Sequence, residues 1–179
     1  MNEEKLLLVT PTKEYENQVM QYRKTFIERN EDLSGCALLE ECLSFDEWLD
    51  FESRLSRKYG DSYVSSEIYL GIRESDNKLV GIIDIRKELS DFLYNYGGNI
   101  GYSVLPQERR KGYAKEMLNL ALDRCKKLQM DKVLITCDKE NEASRRTILA
   151  NGGKLDNEVI DDVGIGNSGI IQRYWIILD

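Results

Sequence analysis

The chain has 179 residues, 41% of them hydrophobic and 32% charged, with a formal net charge of −7 and no histidine. That apolar fraction at this length suits one domain with a sizeable core. The acidic balance argues against nucleic acid as a partner, and the missing histidine excludes Ser-His-Asp and Cys-His catalysis, histidine-bearing zinc sites and histidine as general base.

The opening "MNEEKLLLVTP" has an apolar run too short for a signal-peptide core, and no segment of the chain approaches the roughly 20 apolar residues of a membrane span. A cytoplasmic protein with no membrane partner is the expectation. Within that opening "KLLLV" (residues 5–9) reads as a strand stopped by Pro11, and from Lys13 the apolar residues Tyr15, Val19, Tyr22 and Phe26 recur at helical spacing. "ERNEDLSGCALLEE" is acidic and irregular. A second helix opens at Ser44 and Glu47, spaced as a capping box, presents Phe45, Trp48, Leu49 and Leu55 on one face, and is expected to close at Gly60.

The texture then turns to strands. "SEIYLGIRE" alternates, "SDNK" is turn chemistry, "LVGIIDIRKEL" (residues 79–89) follows as a hairpin partner, and "GGNIGYSVL" reads as another strand. A helix to Leu128, the strand "KVLITC", a helix from near Asn141 to the stop "NGG", and a hairpin of "GKLDNEVI" and "IIQRYWIIL" complete the chain. The four cysteines (Cys36, Cys42, Cys125, Cys137) form no CxxC pair and no metal-ligand spacing, so free thiols and no metal are expected. This order gives a mixed α/β (α+β) fold: one domain over residues 1–179, with a largely antiparallel twisted sheet flanked by helices.

Two motifs stand out. "GIGNSG" matches G-x-G-x-x-G at Gly164, Gly166 and Gly169, but a β-rich run follows it and no βαβ unit can close before the chain ends, so it reads as a hairpin loop. "RRKGYAK" places Arg109, Arg110, Lys111 and Lys115 at the start of a helix, the end where partial positive charge already gathers. Gly112 and Ala114 allow a tight turn with close backbone approach, and the unpaired amides of a first helical turn face outward. Cations and amides converging there suit a bound polyanion, a diphosphate above all.

Val104-x-Pro106 at a strand end, followed by Arg109-x-x-Gly112-x-Ala114 opening a helix, resembles the acyl-CoA-binding signature of the GNAT N-acetyltransferase superfamily. "KVLITC", Asn141, Ser144 and "NGG" resemble its next strand and helix, and "NGG" with the closing "RYWI" resembles a bacterial branch of it. The resemblance implies acetyl-CoA as co-substrate and no metal. It implies that the amides of Arg110, Lys111, Gly112, Tyr113 and Ala114 hold the CoA pyrophosphate with Arg109 and Lys115 beside them, and that pantetheine runs along the strand end at Val104 and Leu105. Residues 97–153 would form the acyl-CoA-binding core, and residues 1–60 would shape the acceptor side. Asn141 is either a contact to the pantetheine arm or a plain N-cap, and Ser144 lies a turn further on.

The implied reaction is direct attack by a primary amine of a small molecule or peptide on the thioester; the alternative is a non-catalytic acyl-CoA-binding sensor. Relatives commonly carry a tyrosine seven residues after the asparagine as proton donor, and here Ile148 stands there. Ser144, Tyr102, Tyr174 or water are left for that role. Asp84 and Glu88, on the preceding strand, are the candidate bases. Glu40 and Glu41 read as solvated charges, and a homodimer is compatible with the sequence.

Overall fold

The structure is a computed structural model that describes residues 5–56 and 64–178. Seven strands and four α-helices run β1 (Leu6–Val9), α1 (Glu16–Glu28), α2 (Phe45–Ser56), β2 (Ser66–Arg73), β3 (Lys78–Arg86), β4 (Ile100–Val104), α3 (Tyr113–Lys127), β5 (Lys132–Asp138), α4 (Glu142–Ala150), β6 (Lys154–Ile160) and β7 (Ile170–Ile177). The expected end of the second helix, Gly60, lies outside the described residues. Half of the capping box at its start forms: the Glu47 amide donates to Ser44 Oγ at 3.2 Å, while Glu47 Oε2 accepts from the amide of Leu43, one residue before Ser44.

Strands β1 to β4 form one antiparallel sheet in sequence order, and β5, β7 and β6 form a second with β7 central. β3 is buried along nearly its whole length because both faces are covered. On one face Val80, Ile83 and Ile85 pack with α3; on the other, Leu79 and Ile82 pack with Val19, Tyr22 and Phe26 of α1 and Phe45 and Trp48 of α2. The continuous apolar run "LVGIIDI" follows from that double burial.

α3 carries Tyr113, Met117, Leu118, Ala121, Leu122 and Cys125 on one buried stripe. It sits close to the sheet because Gly81 offers no side chain: a Cβ there would come within 2.6 Å of Met117 Sδ and 2.7 Å of the Ser103 carbonyl oxygen. Each large side chain buried this way contributes about 1.5–3 kcal/mol. That packing fixes where the start of α3 lies relative to the end of β4.

One turn was not legible in the pattern. Leu93–Gly97 forms a single wide π-turn between β3 and β4, closed by Gly98 N–H donating to the Leu93 carbonyl at 2.6 Å. β3 ends at Arg86, three residues short of the expected strand end at Leu89.

Candidate active site

The two sheets meet at one point. The Asn99 amide donates to the Leu134 carbonyl at 2.6 Å, and Asn99 Oδ1 accepts from the Leu134 amide at 2.8 Å. No ladder joins β4 to β5 beyond it, so a crevice opens between them. On its other edge β4 pairs with β3, and the Leu105 amide donates to the Val80 carbonyl at 2.9 Å. Antiparallel alternation then turns the backbone groups of Ser103 and Gly101 toward β3, and those of Tyr102 and Val104 toward the crevice. The crevice-facing backbone groups are therefore those of Val104 and Tyr102, whereas the Leu105 amide is bonded within the sheet.

Beyond Val104 the chain makes a short 3₁₀ turn at Pro106–Glu108 and then the basic bend. Arg110 and Gly112 both adopt positive φ, at 62° and 90°. A Cβ at Gly112 would meet nothing within 4 Å, so its requirement is conformational and not one of space inside the protein. Among the described residues no acceptor takes the amides of Arg110, Lys111, Gly112 or Ala114. These donors stand open at the mouth of α3.

The four cations divide. Arg109 folds back: its Nε donates to the Val104 carbonyl at 3.1 Å, its Nη2 binds Glu31, and its guanidinium lies over the Phe26 ring. Lys111 binds Glu108 at 2.9 Å. Only Arg110 and Lys115 project without a hydrogen-bond or ion-pair partner among the described residues, and both are exposed. Arg109 thus braces the bend instead of lying open beside it, because Glu31 and the Val104 carbonyl offer it nearer acceptors.

Sequence reasoning missed what holds the bend from beneath. Glu108 is 3% exposed and receives Arg73 at 2.9 Å, Lys78 at 2.5 Å and Lys111 at 2.9 Å. Burial opposes its ionisation, but hydrogen bonds from Lys78 and Lys111 and the charge of Arg73 prevail, holding its carboxyl at about 2. Arg73 Nη1 also donates to the Tyr113 hydroxyl at 3.0 Å, which turns that side chain inward and leaves only its backbone to the bend. Two features hinted at this anchor: a lone acid inside a basic run, and a helix-start tyrosine on the apolar stripe.

On the α4 side of the crevice, Asn141 caps the helix: its Oδ1 accepts from the Ser144 amide at 3.1 Å. Both readings of Asn141 survive for the side-chain amide, which the cap does not use. Ser144 Oγ and the Tyr102 hydroxyl lie 3.0 Å apart. Burial pushes the Tyr102 phenol up to about 12 and the neighbouring Cys137 thiol up to about 11. Ile148 is fully buried in the core under α4 and does not reach the crevice. Tyr174 is buried too, its hydroxyl donating to Gln172 Oε1 at 2.6 Å.

The two candidate bases separate. Asp84 is 4% exposed on β3 opposite Gly101; its Oδ2 accepts from Arg86 Nε at 2.9 Å, and its Oδ1 has no hydrogen-bond partner. Burial raises its pKa against the pull of Arg86. Glu88 does not share that strand. β3 ends two residues before it, and Glu88 is exposed in the following turn, away from Asp84.

On the face of β4 turned toward α1, the Tyr22 hydroxyl donates to Ser103 Oγ at 2.9 Å, and Cys36 Sγ lies 3.4 Å from the same oxygen. The acidic loop before α2 therefore presses on β4. Glu41 lines a surface hollow of about 460 Å³ with Glu47 and Asp50, away from the crevice, and Glu40 does not line it. The G-x-G-x-x-G segment is a loop between β6 and β7, its amides at Gly164 and Gly166 bound by the Asp161 carboxylate. All four cysteines are free thiols. Among the described residues no group of three or more acidic or cysteine side chains gathers as metal ligands, and no helix is long and apolar enough to cross a membrane.

A half-paired strand whose sister diverges, followed by a bend of open amides at a helix start, defines an acyl-CoA-binding acyltransferase fold. The family model described as the acetyltransferase (GNAT) domain matches residues 40–154, about two thirds of the chain. The chain belongs to the GNAT acetyltransferase family, whose members are N-acetyltransferases using acetyl-CoA. No curated protein matches it by sequence. Among solved structures, it is similar to the ribosomal L7/L12 alpha-N-protein acetyltransferase RimL in complex with coenzyme A, with a TM-score of 0.71 and 15% identity over 97% of this chain and 94% of that one. It is likewise similar to the dodecameric spermidine N-acetyltransferase from Vibrio cholerae (TM-score 0.69, 16% identity, 99% and 95% covered). The microcin C7 self-immunity acetyltransferase MccE in complex with acetyl-CoA and AMP has a TM-score of 0.67 and 17% identity, with 98% and 93% covered. At these identities the likeness is one of fold.

Proposed function

We propose that the protein moves the acetyl group of acetyl-CoA onto a primary amine of a small molecule or peptide by direct attack. The observation that carries this reading is the divergence of β4 from β5 past the Asn99–Leu134 junction, leading straight into the open amides of Arg110, Lys111, Gly112 and Ala114. The bend would bind the pyrophosphate, with Arg110 and Lys115 adding charge. The crevice would take the pantetheine arm, which the Asn141 side-chain amide is placed to contact. Residues 97–153 form the acyl-CoA-binding core in this reading, and the helices within residues 1–60 form the acceptor side.

The amine nitrogen attacks the acetyl carbonyl, its oxygen gains negative charge near the crevice-facing amides of Tyr102 and Val104, and the C–S bond then breaks. The departing thiolate, whose conjugate thiol has a reference pKa near 8.5, takes up a proton relayed through the Ser144 hydroxyl, which gains one from water as it gives one up and which Tyr102 holds in place. An alkylamine is only about a thousandth neutral at pH 7, a cost of about 4–5 kcal/mol, which Asp84 would ease by accepting the amine proton through water. Direct transfer is favoured over a covalent acyl-enzyme because burial raises the pKa of every cysteine thiol. A cytoplasmic setting belongs to the same reading, since all four thiols are unpaired.

The test is thiol release from acetyl-CoA across a library of primary amines. Release that requires both substrates supports the reading. Tight uptake of acetyl-CoA with no release from any amine would contradict it.

A further inference from the structure

Arg173 of β7 is 4% exposed, and neither its Nε nor its Nη2 has a hydrogen-bond partner. The guanidinium carbon lies 4.2 Å from the centroid of the Tyr94 ring, which covers one of its flat faces. Arginine does not escape burial by losing its proton. Glu108 is met by three cations and Asp84 by Arg86, yet among the described residues no carboxylate meets Arg173.

Its place in the fold gives the orphan edge a purpose. Arg173 pairs with Thr136 of β5 and Asn157 of β6. Strand alternation puts it on the face opposite Tyr174 and Ile176, which pack in the α3 core. That face lies beneath the π-turn Leu93–Gly97, whose Tyr96 carbonyl accepts from Thr136 Oγ1 at 2.6 Å. Thr136 stands two residues past Leu134, where β5 has already parted from β4. Arg173 therefore lies one strand in from the crevice, directly across β5 residue Thr136 and on the face away from α3.

We infer that the Nε–Nη2 edge of Arg173 receives a carboxylate of the acceptor, so that the substrate is an amine that also carries a carboxylate, an amino acid or a peptide. The inference rests on the acetyl-transfer reading above and names its acceptor class. The two N–H bonds of that edge run parallel at the spacing of two carboxylate oxygens. With Tyr94 on the flat face, the in-plane edge is the direction of binding. Tyr94 is 46% exposed, so the ring stacked on the guanidinium stands at the surface. A polyamine would bring like charge against Arg173.

Thiol release is measured with matched acceptors: glycylglycine, glycylglycine amide, a glutamyl dipeptide amide, aminomethylphosphonate and spermidine. A carboxylate is expected to raise kcat/KM about tenfold or more over the uncharged amide, an effect of about 1.4 kcal/mol. Glycylglycine against the glutamyl amide tells whether a terminal or a side-chain carboxylate is read. Arg173→Gln should remove the preference by raising KM for the carboxylate acceptor alone, leaving KM for acetyl-CoA and turnover of glycylglycine amide unchanged. Arg173→Lys, which keeps the charge but not the fork, should restore only part of it. Should Arg173→Gln fail to fold by circular dichroism, the wild-type panel decides by itself. Equal rates for acid and amide, or a preference for spermidine or the phosphonate, would overturn the assignment while leaving acetyl transfer standing. No release from any acceptor would overturn both.

Discussion

The Tyr102 hydroxyl and Ser144 Oγ stand 3.0 Å apart, tying β4 to α4 across the crevice that the diverging strands leave open. Burial holds the phenol protonated well past neutral pH, so it remains a neutral hydrogen-bond partner that fixes the serine hydroxyl. Ser144→Ala is expected to lower kcat by about 10–100-fold, the low end for general acids because a thiol leaves readily. Tyr102→Phe should cost less, and the double variant should be no slower than Ser144→Ala, since the pair acts as a unit. Steady-state kinetics with saturating acetyl-CoA decides; an unchanged kcat in Ser144→Ala would remove it from the proton path.

Asp84 and Glu88 now make opposite predictions. Asp84 has one carboxylate oxygen without a hydrogen bond and is buried beside β4, whereas Glu88 is exposed past the end of β3. A base works ionised, and burial raises the Asp84 pKa. Activity should therefore fall as pH drops through a limb lying above the ordinary carboxylate range near 4. Asp84→Asn should lower kcat about 100-fold and abolish that limb, while Glu88→Gln stays within about twofold of wild type. A limb that persists in Asp84→Asn would assign it to another group.

Glu108 under the bend gives a stability test. Its folded pKa, about 2, is depressed below the unfolded reference of 4.5. The stabilisation it provides is thus fully present above about pH 4.5 and is lost as pH falls toward 2. Glu108→Gln leaves three cations without their shared carboxylate and is expected to cost about 3 kcal/mol, or roughly 6–12 °C in melting temperature near neutral pH. The gap between the two proteins should narrow in acid. Melting curves at pH 7 and pH 3 measure it, and a constant gap would show that the carboxylate charge contributes nothing.

The basic residues of the bend should separate by role. Arg110→Gln and Lys115→Gln remove exposed cations that have no partner among the described residues, so both should weaken acetyl-CoA binding several-fold and reduce its dependence on salt. Arg109→Gln loses Glu31 and the Val104 carbonyl, and it should lower stability by about 1 kcal/mol with a smaller effect on affinity. Titrations at two ionic strengths distinguish these outcomes.

Much of this was legible in the chain. The strands, the stripe of α3 and the Gly112 turn follow from short-range rules of spacing and backbone freedom, which local sequence carries. The site's chemistry was less legible because it depends on partners far apart. Arg109 reads as a ligand-facing cation until Glu31, 78 residues away, is found beside it. Glu88 reads as a strand residue because "IRKEL" continues the alternation, yet β3 ends at Arg86 and the chain bends there. Arg173 lies in an apolar run where nothing local marks its missing acceptor.

The central claim is that main-chain nitrogens of the Arg110–Ala114 bend hold the paired phosphates of acetyl-CoA. The direct measurement is calorimetric titration of acetyl-CoA into wild type, Gly112→Pro and Gly164→Ala, each checked for folding. Proline cannot adopt the φ of 90° at position 112 and removes an amide, whereas position 164 lies in the remote β6–β7 loop, where a Cβ meets nothing within 4 Å. Wild type and Gly164→Ala should bind alike, and at 100 times the Kd should gain about 2.7 kcal/mol of stability, while folded Gly112→Pro should lose at least about 100-fold in affinity. No uptake by wild type, or equal affinity in folded Gly112→Pro, would contradict the account.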